Sequence, residues 1–371
     1  MGSRPETLRA PRRLYFAPDG RKLSTLTIAK GNAMKTRPST QGVLVLVAVL
    51  VLSCTSTPAK TTADTAVATG GGLAMGGRPA TGGVAQAGGA VATGGVESTG
   101  GSPILDGSVS SRSPGCGKTG AATGMQTGQT LSVGSLTRGY VLSVPKTYTP
   151  ETAWPLIFAW HGMGGNGNLA RQYFGLEAAT QGGAILVYPD GLPVNDAGSA
   201  GWDLTGTGMD MAFFDALLDF VSDAYCVDRN RVFATGHSYG GMMTNALGCY
   251  RGDVLRAIAP VAGMPVNAYG GRATCVGNVG ALVIHGENDP TVDYTRGGIG
   301  ARDYWMGRNG CSTATQAGLD ANCVDYAGCQ ADLPVQFCIH NQGHDWPNGR
   351  CDAGSCLAAA GVIWRFFAAF P

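Results

Sequence analysis

Seven short apolar runs punctuate the last two thirds of the chain, and helical patterns fall between them. The runs are YVLSV (140–144), PLIFAW (155–160), AILVYP (184–189), RVFAT (231–235), AIAPVA (257–262), ALVIH (281–285) and VQFCIH (335–340). Their hydrophobicity is continuous rather than alternating, which predicts strands buried on both faces. Residues 209–224 carry Met211, Phe214, Leu218 and Val221 at helical spacing, with Asp215, Asp219 and Asp223 turned away; this predicts an amphipathic helix. Residues 239–249, 296–308 and 355–369 also read as helices. Strands alternating with helices imply an α/β fold whose mostly parallel sheet is covered by helices on both faces.

The pattern stops upstream of residue 115. From Thr55 to Pro114 the chain is Gly, Ala, Thr and Ser with almost no aromatics, and Gly-Gly recurs at 70, 76, 82, 88, 94 and 100. A six-residue beat suits a β-helix only if a large aliphatic recurs at one fixed phase, and none does. Such a segment buries too little apolar surface to offset chain entropy and reads as a disordered linker. As a Gly-rich coil it would span roughly 45 Å. The folded unit is then a single domain over 115–371.

Ahead of the linker, MKTRPSTQGVLVLVAVLVLSC (34–54) joins Lys35 and Arg37 to an uncharged apolar run, Val43 to Leu52, that ends at Ser53-Cys54. A basic start, a short apolar run and a small residue at the cleavage point describe an export signal. The run is too short for a bilayer-spanning helix. VLSC is similar to the bacterial lipobox, so Cys54 is the candidate lipidation site and a membrane anchor, with plain secretion as the alternative. Residues 1–33 form an extension of doubtful status, since Met34 is a possible initiator.

Charge adds little. Twenty-six basic residues against 25 acidic leave +1, with no basic stripe, which argues against a nucleic-acid partner. The cysteines say more. There are eleven; with Cys54 assigned to lipid, the others all fall from Cys116 onward and permit up to five disulfides in an oxidising compartment. Short separations make Cys311–Cys329 and Cys351–Cys356 candidate pairs without fixing the connectivity. Zinc is disfavoured because no C-x-x-C or ligand-spaced histidine pair occurs, and no metal or cofactor is expected. GCGKTG (115–120) imitates part of a phosphate loop, but Arg112 stands where the leading glycine belongs and no strand precedes it.

The candidate chemistry lies in RVFATGHSYGGMMTNAL (231–247). A strand, a sharp turn bearing Ser238 between Gly236 and Gly240, and a following helix describe a nucleophile elbow. The serine needs a base, a carboxylate and an oxyanion site, with the partners following in the order acid, then histidine. Of five histidines, His237 is inside the elbow, His161 comes too early and His285 precedes the acid loop. His344, in the loop beyond VQFCIH, is preferred over His340, which ends the strand. HGENDPTVDY (285–294) supplies Asp289 at the loop apex, with Asp293 as runner-up. The oxyanion amides are assigned to Tyr239 and, in HGMGG (161–165), to Met163, with Gly162 as alternative. Trp202 and Trp346 are candidates for the walls of an acyl pocket, with core packing as the alternative.

These stretches resemble the polyhydroxybutyrate depolymerase and feruloyl esterase group of secreted serine esterases, especially type C feruloyl esterases. The similarity rests on GCGK, YCVDRNRVFATGHSYGGMMTNAL, IHGENDPTVDY, NGC (309–311), Cys329 and the final WRFFAAF, and it covers essentially 115–371. It implies an α/β-hydrolase fold, the triad Ser238, Asp289 and His344, and hydrolysis of polymeric esters such as feruloylated polysaccharide. Polyester depolymerisation and acetyl xylan esterase activity are the alternatives; a non-catalytic, surface-tethered binding protein is a third. Asp293 stands where the group usually has proline, and Cys323, Cys338, Cys351 and Cys356 look additional.

Overall fold

A computed structural model describes residues 111–269, 274–350 and 356–371. The signal at 34–54 with Cys54, the extension 1–33 and most of the linker lie outside the described residues, as does Cys351. The elements in chain order are β1 (Gly124–Val133), β2 (Leu136–Val144), β3 (Trp154–Trp160), α1 (Gly167–Phe174), α2 (Leu176–Thr180), β4 (Ile185–Pro189), and the short pair β5 (Leu192–Pro193) and β6 (Ala200–Gly201). They continue with α3 (Met209–Ala224), β7 (Val227–His237), α4 (Tyr239–Tyr250), β8 (Ala257–Val261), β9 (Gly280–Gly286), α5 (Gly300–Asn309), β10 (Thr315–Ala317), β11 (Cys323–Tyr326), β12 (Val335–His340) and α6 (Ala359–Ala368).

Ten strands form one sheet in the order β1-β2-β4-β3-β7-β8-β9-β12-β11-β10. The six central strands, β4 to β12, pair in parallel. Antiparallel pairs close both edges. This is the α/β-hydrolase fold. Along β3 the side chains alternate between two cores: Leu156, Phe158 and Trp160 face one, Ile157 and Ala159 the other, as the two-residue period of a strand requires. Met211, Phe214 and Leu218 of α3, Met243 and Leu247 of α4, and Trp305 of α5 fill the first core. Phe174 of α1, Leu176 of α2, and Ile363, Phe366 and Phe367 of α6 fill the second.

The apolar runs all become strands, and the 209–224 pattern becomes α3 over the same residues. Three expectations need correction. Residues 111–114, placed in the linker, are docked on the domain: Ser113 is buried, and its amide donates to Val227 O and its hydroxyl to Tyr225 O. The last helix begins at Ala359, not 355. The 296–308 helix is two pieces, a π-helical turn over Thr295–Ile299 running into α5.

Among the described residues, disulfides join Cys116–Cys226, Cys249–Cys275, Cys311–Cys329 and Cys323–Cys338. Cys356 is also disulfide-bonded. This density fits an oxidising compartment. Cys323–Cys338 ties β11 to β12 at directly paired positions, next to the strand end that leads into the His344 loop.

Candidate active site

The carboxyl ends of β3, β7, β9 and β12 converge on one rim, and each supplies a segment of the site. After β7 the chain turns at Ser238 with φ 57° and ψ −120°, a left-handed backbone that costs a non-glycine residue of order 1–3 kcal/mol. The turn is affordable only because its neighbours lack side chains. A Cβ on Gly240 would overlap the carbonyl oxygen of Trp160, and one on Gly236 would come within 2.6 Å of that same oxygen. A Cβ on Gly241 would likewise lie 2.6 Å from Val261 O. Two backbone bonds fix the turn: Ser238 N–H donates to Val261 O at 2.9 Å, and Met242 N–H donates to Ser238 O at 2.9 Å.

His344 reaches back over this turn. Its Nε2 lies 2.7 Å from Ser238 Oγ and its Nδ1 lies 2.7 Å from Asp289 Oδ2. Asp289 is held by its own loop, its Oδ1 accepting from the amides of Thr291 and Val292 at 2.8 Å each. Burial would raise the carboxyl, but the bonds from His344, Val292 and Thr291 outweigh it, so Asp289 titrates below its ordinary range. The acid loop is stitched to the histidine loop: Glu287 N–H donates to His340 O, and Asn288 Nδ2 donates to Asn341 O. The runner-up Asp293 caps the π-helical turn through Arg296 N instead.

The loop after β3 borders the serine from the other side. Gly162 packs so closely that an added Cβ would lie 3.3 Å from Ser238 Cβ. Tyr239 opens α4, so no earlier helical carbonyl is available to its amide. The 161–165 loop is braced by His161, set aside in the sequence for coming too early in the chain. Its ring accepts from Gly191 N–H at Nε2 (2.9 Å) and donates from Nδ1 to Gly162 O (2.7 Å). Gly164 N–H adds a bond to Ala200 O. Burial lowers the His161 pKa, which keeps the ring neutral and able to make both bonds.

Trp202 and Trp346 do not wall a pocket. Trp202 is 1% exposed, packs edge-on against Trp160 and donates its indole N–H to His161 O at 2.8 Å. Trp346 is 2% exposed, stacks on Phe174 at 4.0 Å between ring centres and donates to Phe174 O. Burial deprives an indole N–H of water as an acceptor, and both of these find a backbone carbonyl inside the protein. Trp202 thereby braces the 161–165 loop, and Trp346 fixes the loop that carries His344. The open space lies elsewhere. A cavity of about 480 Å³ beside the serine is lined by His161, Gly162, Met163, Leu169, Tyr173 and His237, among others. Met163, Leu169 and Tyr173 are exposed at its rim. The apolar strand runs could not show this cavity, because its walls come from the loop after β3 and from α1.

His237 and His340 are both buried. His237 stacks beside His344 with ring centres 4.9 Å apart, and burial together with that neighbour lowers its pKa to about 3. His340 ends β12 with neither ring nitrogen on a protein partner.

The family follows from comparison with known proteins. Residues 200–271, which include the elbow, match the prolyl oligopeptidase family. Over 272 residues the chain is 36% identical to feruloyl esterase C of Emericella nidulans, covering 70% of this chain and 92% of that one. It is 34% identical to probable feruloyl esterase C of Aspergillus niger, over the same shares. Feruloyl esterase D of Neurospora crassa is 32% identical, over 71% of this chain and 92% of its own. Among solved structures, an acetyl xylan esterase from Aspergillus awamori aligns with a TM-score of 0.49 at 18% identity, over 59% of this chain and 94% of that one. The chain belongs to the feruloyl esterase C family of serine carboxylic ester hydrolases.

Proposed function

We propose that the protein hydrolyses feruloyl-type esters of plant cell-wall polysaccharide through an acyl-enzyme on Ser238. The observation that carries this reading is the pair of 2.7 Å contacts linking Ser238, His344 and Asp289. His344 takes the Ser238 proton as Oγ attacks the ester carbonyl, and Asp289 stabilises the imidazolium. The oxyanion rests on the amides of Met163 and Tyr239, with the positive end of α4 behind it. His344 then protonates the leaving alcohol and activates a water that releases the acid. No step draws on a metal or cofactor.

The aromatic acyl group is assigned to the 480 Å³ cavity beside the serine. Its apolar rim of Met163, Leu169 and Tyr173 suits a planar phenolic acid, and its volume is far more than an acetyl group needs. Kinetics on methyl ferulate, p-nitrophenyl acetate and a short polyester film test the assignment. A kcat/KM favouring ferulate supports it, and a preference for acetate or polyester overturns it.

Export is part of this reading, as an outer-surface or periplasmic lipoprotein or as a secreted extracellular enzyme. The signal at 34–54 and the disulfides support export, and Cys54 is the proposed lipid attachment point, with the chain from residue 55 up to the docked segment at 111 as tether. Processing that is insensitive to globomycin would remove the anchor and leave a secreted enzyme.

A further inference from the structure

We propose that His285 is a positioning residue for the acid arm of this site, its Nε2–H holding in shape the loop that aims Asp289 at His344; the inference rests on the triad reading above. His285 is fully buried near the end of β9, four residues before Asp289. Its Nε2 lies 2.8 Å from Val292 O and 3.4 Å from Asp289 Oδ2. Both neighbours are acceptors, so the ring proton belongs on Nε2. Nδ1 is buried and meets no protein partner. The one donor is therefore directed at the carbonyl of Val292, the same residue whose amide donates to Asp289 Oδ1. A short closed circuit results: β9 to the His285 ring, the ring to Val292, and Val292 to the carboxylate.

The surroundings are cut to fit this ring. A Cβ on Gly297 would come within 2.7 Å of His285 Cε1, and one on Gly298 within 2.8 Å of its Cβ and Cγ. Those two glycines lie within the π-helical turn, which presses its backbone onto one side of the imidazole while Tyr294 stands edge-on at 6.1 Å. An apolar residue would fill the slot as well as histidine does, without an orphaned nitrogen. What histidine adds is the donor. Removing it leaves Val292 O buried without its partner and frees the 289–292 turn to shift, so that Asp289 no longer meets His344 squarely.

The titratable groups facing His285 are Asp289, Asp293 and Tyr294 from its own loop, His340 and His344 from β12 and the loop beyond, and His237 from the end of β7.

His285→Leu and His285→Gln separate the donor from mere packing, because the glutamine amide can present an N–H where the imidazole Nε2 stood. On methyl ferulate the leucine variant is expected to lose about 10²-fold in kcat, as a misplaced catalytic group does. Its KM should stay near wild type. The glutamine variant is expected within about fivefold of wild type, the worth of one modest hydrogen bond. A folded leucine variant with wild-type kcat overturns the proposal, and so do equal losses in the two variants. Should the leucine variant fail to fold, nitrogen-15 NMR of the wild type decides: His285 is expected as the Nε2–H tautomer, and the Nδ1–H tautomer contradicts it. Ser238→Ala assayed alongside keeps the outcomes apart, since retained activity there would remove the triad reading itself.

Discussion

Ser238 Oγ and His344 Nε2 stand 2.7 Å apart although 106 residues separate them in the chain. The distance is set by two scaffolds that do not touch the chemistry. The glycines around Ser238 allow its turn to press against Trp160, and Trp346, stacked on Phe174, fixes the far end of the histidine loop. The first scaffold aims the oxygen and the second aims the ring.

If Asp289 orients His344 and stabilises its charge, Asp289→Asn should leave the fold intact and lower kcat by about 10⁴-fold. Asp293→Asn should change kcat little, because that carboxylate caps a turn. Steady-state kinetics on methyl ferulate check both; a larger loss at 293 than at 289 contradicts the assignment.

Tyr173 has two separable roles. Its hydroxyl accepts from the Trp346 amide at 2.8 Å, and its ring lines the cavity. Tyr173→Phe should lower kcat about fivefold through a loosened histidine loop, one hydrogen bond's worth. Tyr173→Ala should in addition raise KM for methyl ferulate by about tenfold, as expected for losing part of an aromatic contact. The KM for p-nitrophenyl acetate should change less, since an acetyl group does not reach that wall. Equal KM changes on both substrates would place the acyl group elsewhere.

The elbow's glycines are structural necessities. Gly240→Ala places a methyl onto the Trp160 carbonyl, with the carbonyl carbon at 2.5 Å. Backbone cannot yield as a side chain can, so the variant should lose about 3 kcal/mol or more. Thermal unfolding of soluble protein reads this, and an unchanged Tm would mean that the turn is not as drawn.

Much of this was legible beforehand, for physical reasons. Central parallel strands must be apolar on both faces, so each appeared as an unbroken run, and the 209–224 helix declared its face through Met211, Phe214, Leu218 and Val221. Ser238, Asp289 and His344 could be picked out because strand ends and chain order restrict the choice, and the structure brings those three together. The edges were not legible. β1, GMQTGQTLSV, is half exposed and largely polar, and β10 is exposed throughout. For Trp202 and Trp346 both readings stay open in the sequence, because residue type alone does not say whether an indole turns toward solvent space or toward a buried carbonyl. His161 was passed over because chain order speaks only to the base, whereas its part is to brace a loop.

Stability should fall on the acid side. Burial and the neighbouring His285 lower the His340 pKa from 6.5 to about 4. The unfolded chain therefore gains a proton below about pH 6.5 that the folded protein refuses until near pH 4. The stabilisation is complete above 6.5 and is lost as pH falls through that window. His340→Leu removes this linkage and a buried ring with unpartnered nitrogens, so the Tm difference between pH 8 and pH 5 should shrink while activity persists. An unchanged difference would mean that His340 takes up its proton equally in both states.

The central claim is that Ser238 carries the acyl group, and covalent trapping tests it most directly. Labelling with a fluorophosphonate, followed by peptide mass mapping, should place one adduct on Ser238, with none on Ser238→Ala and a kcat loss of about 10⁶-fold in that variant. An adduct on another residue, or equal labelling of the alanine variant, would contradict the account.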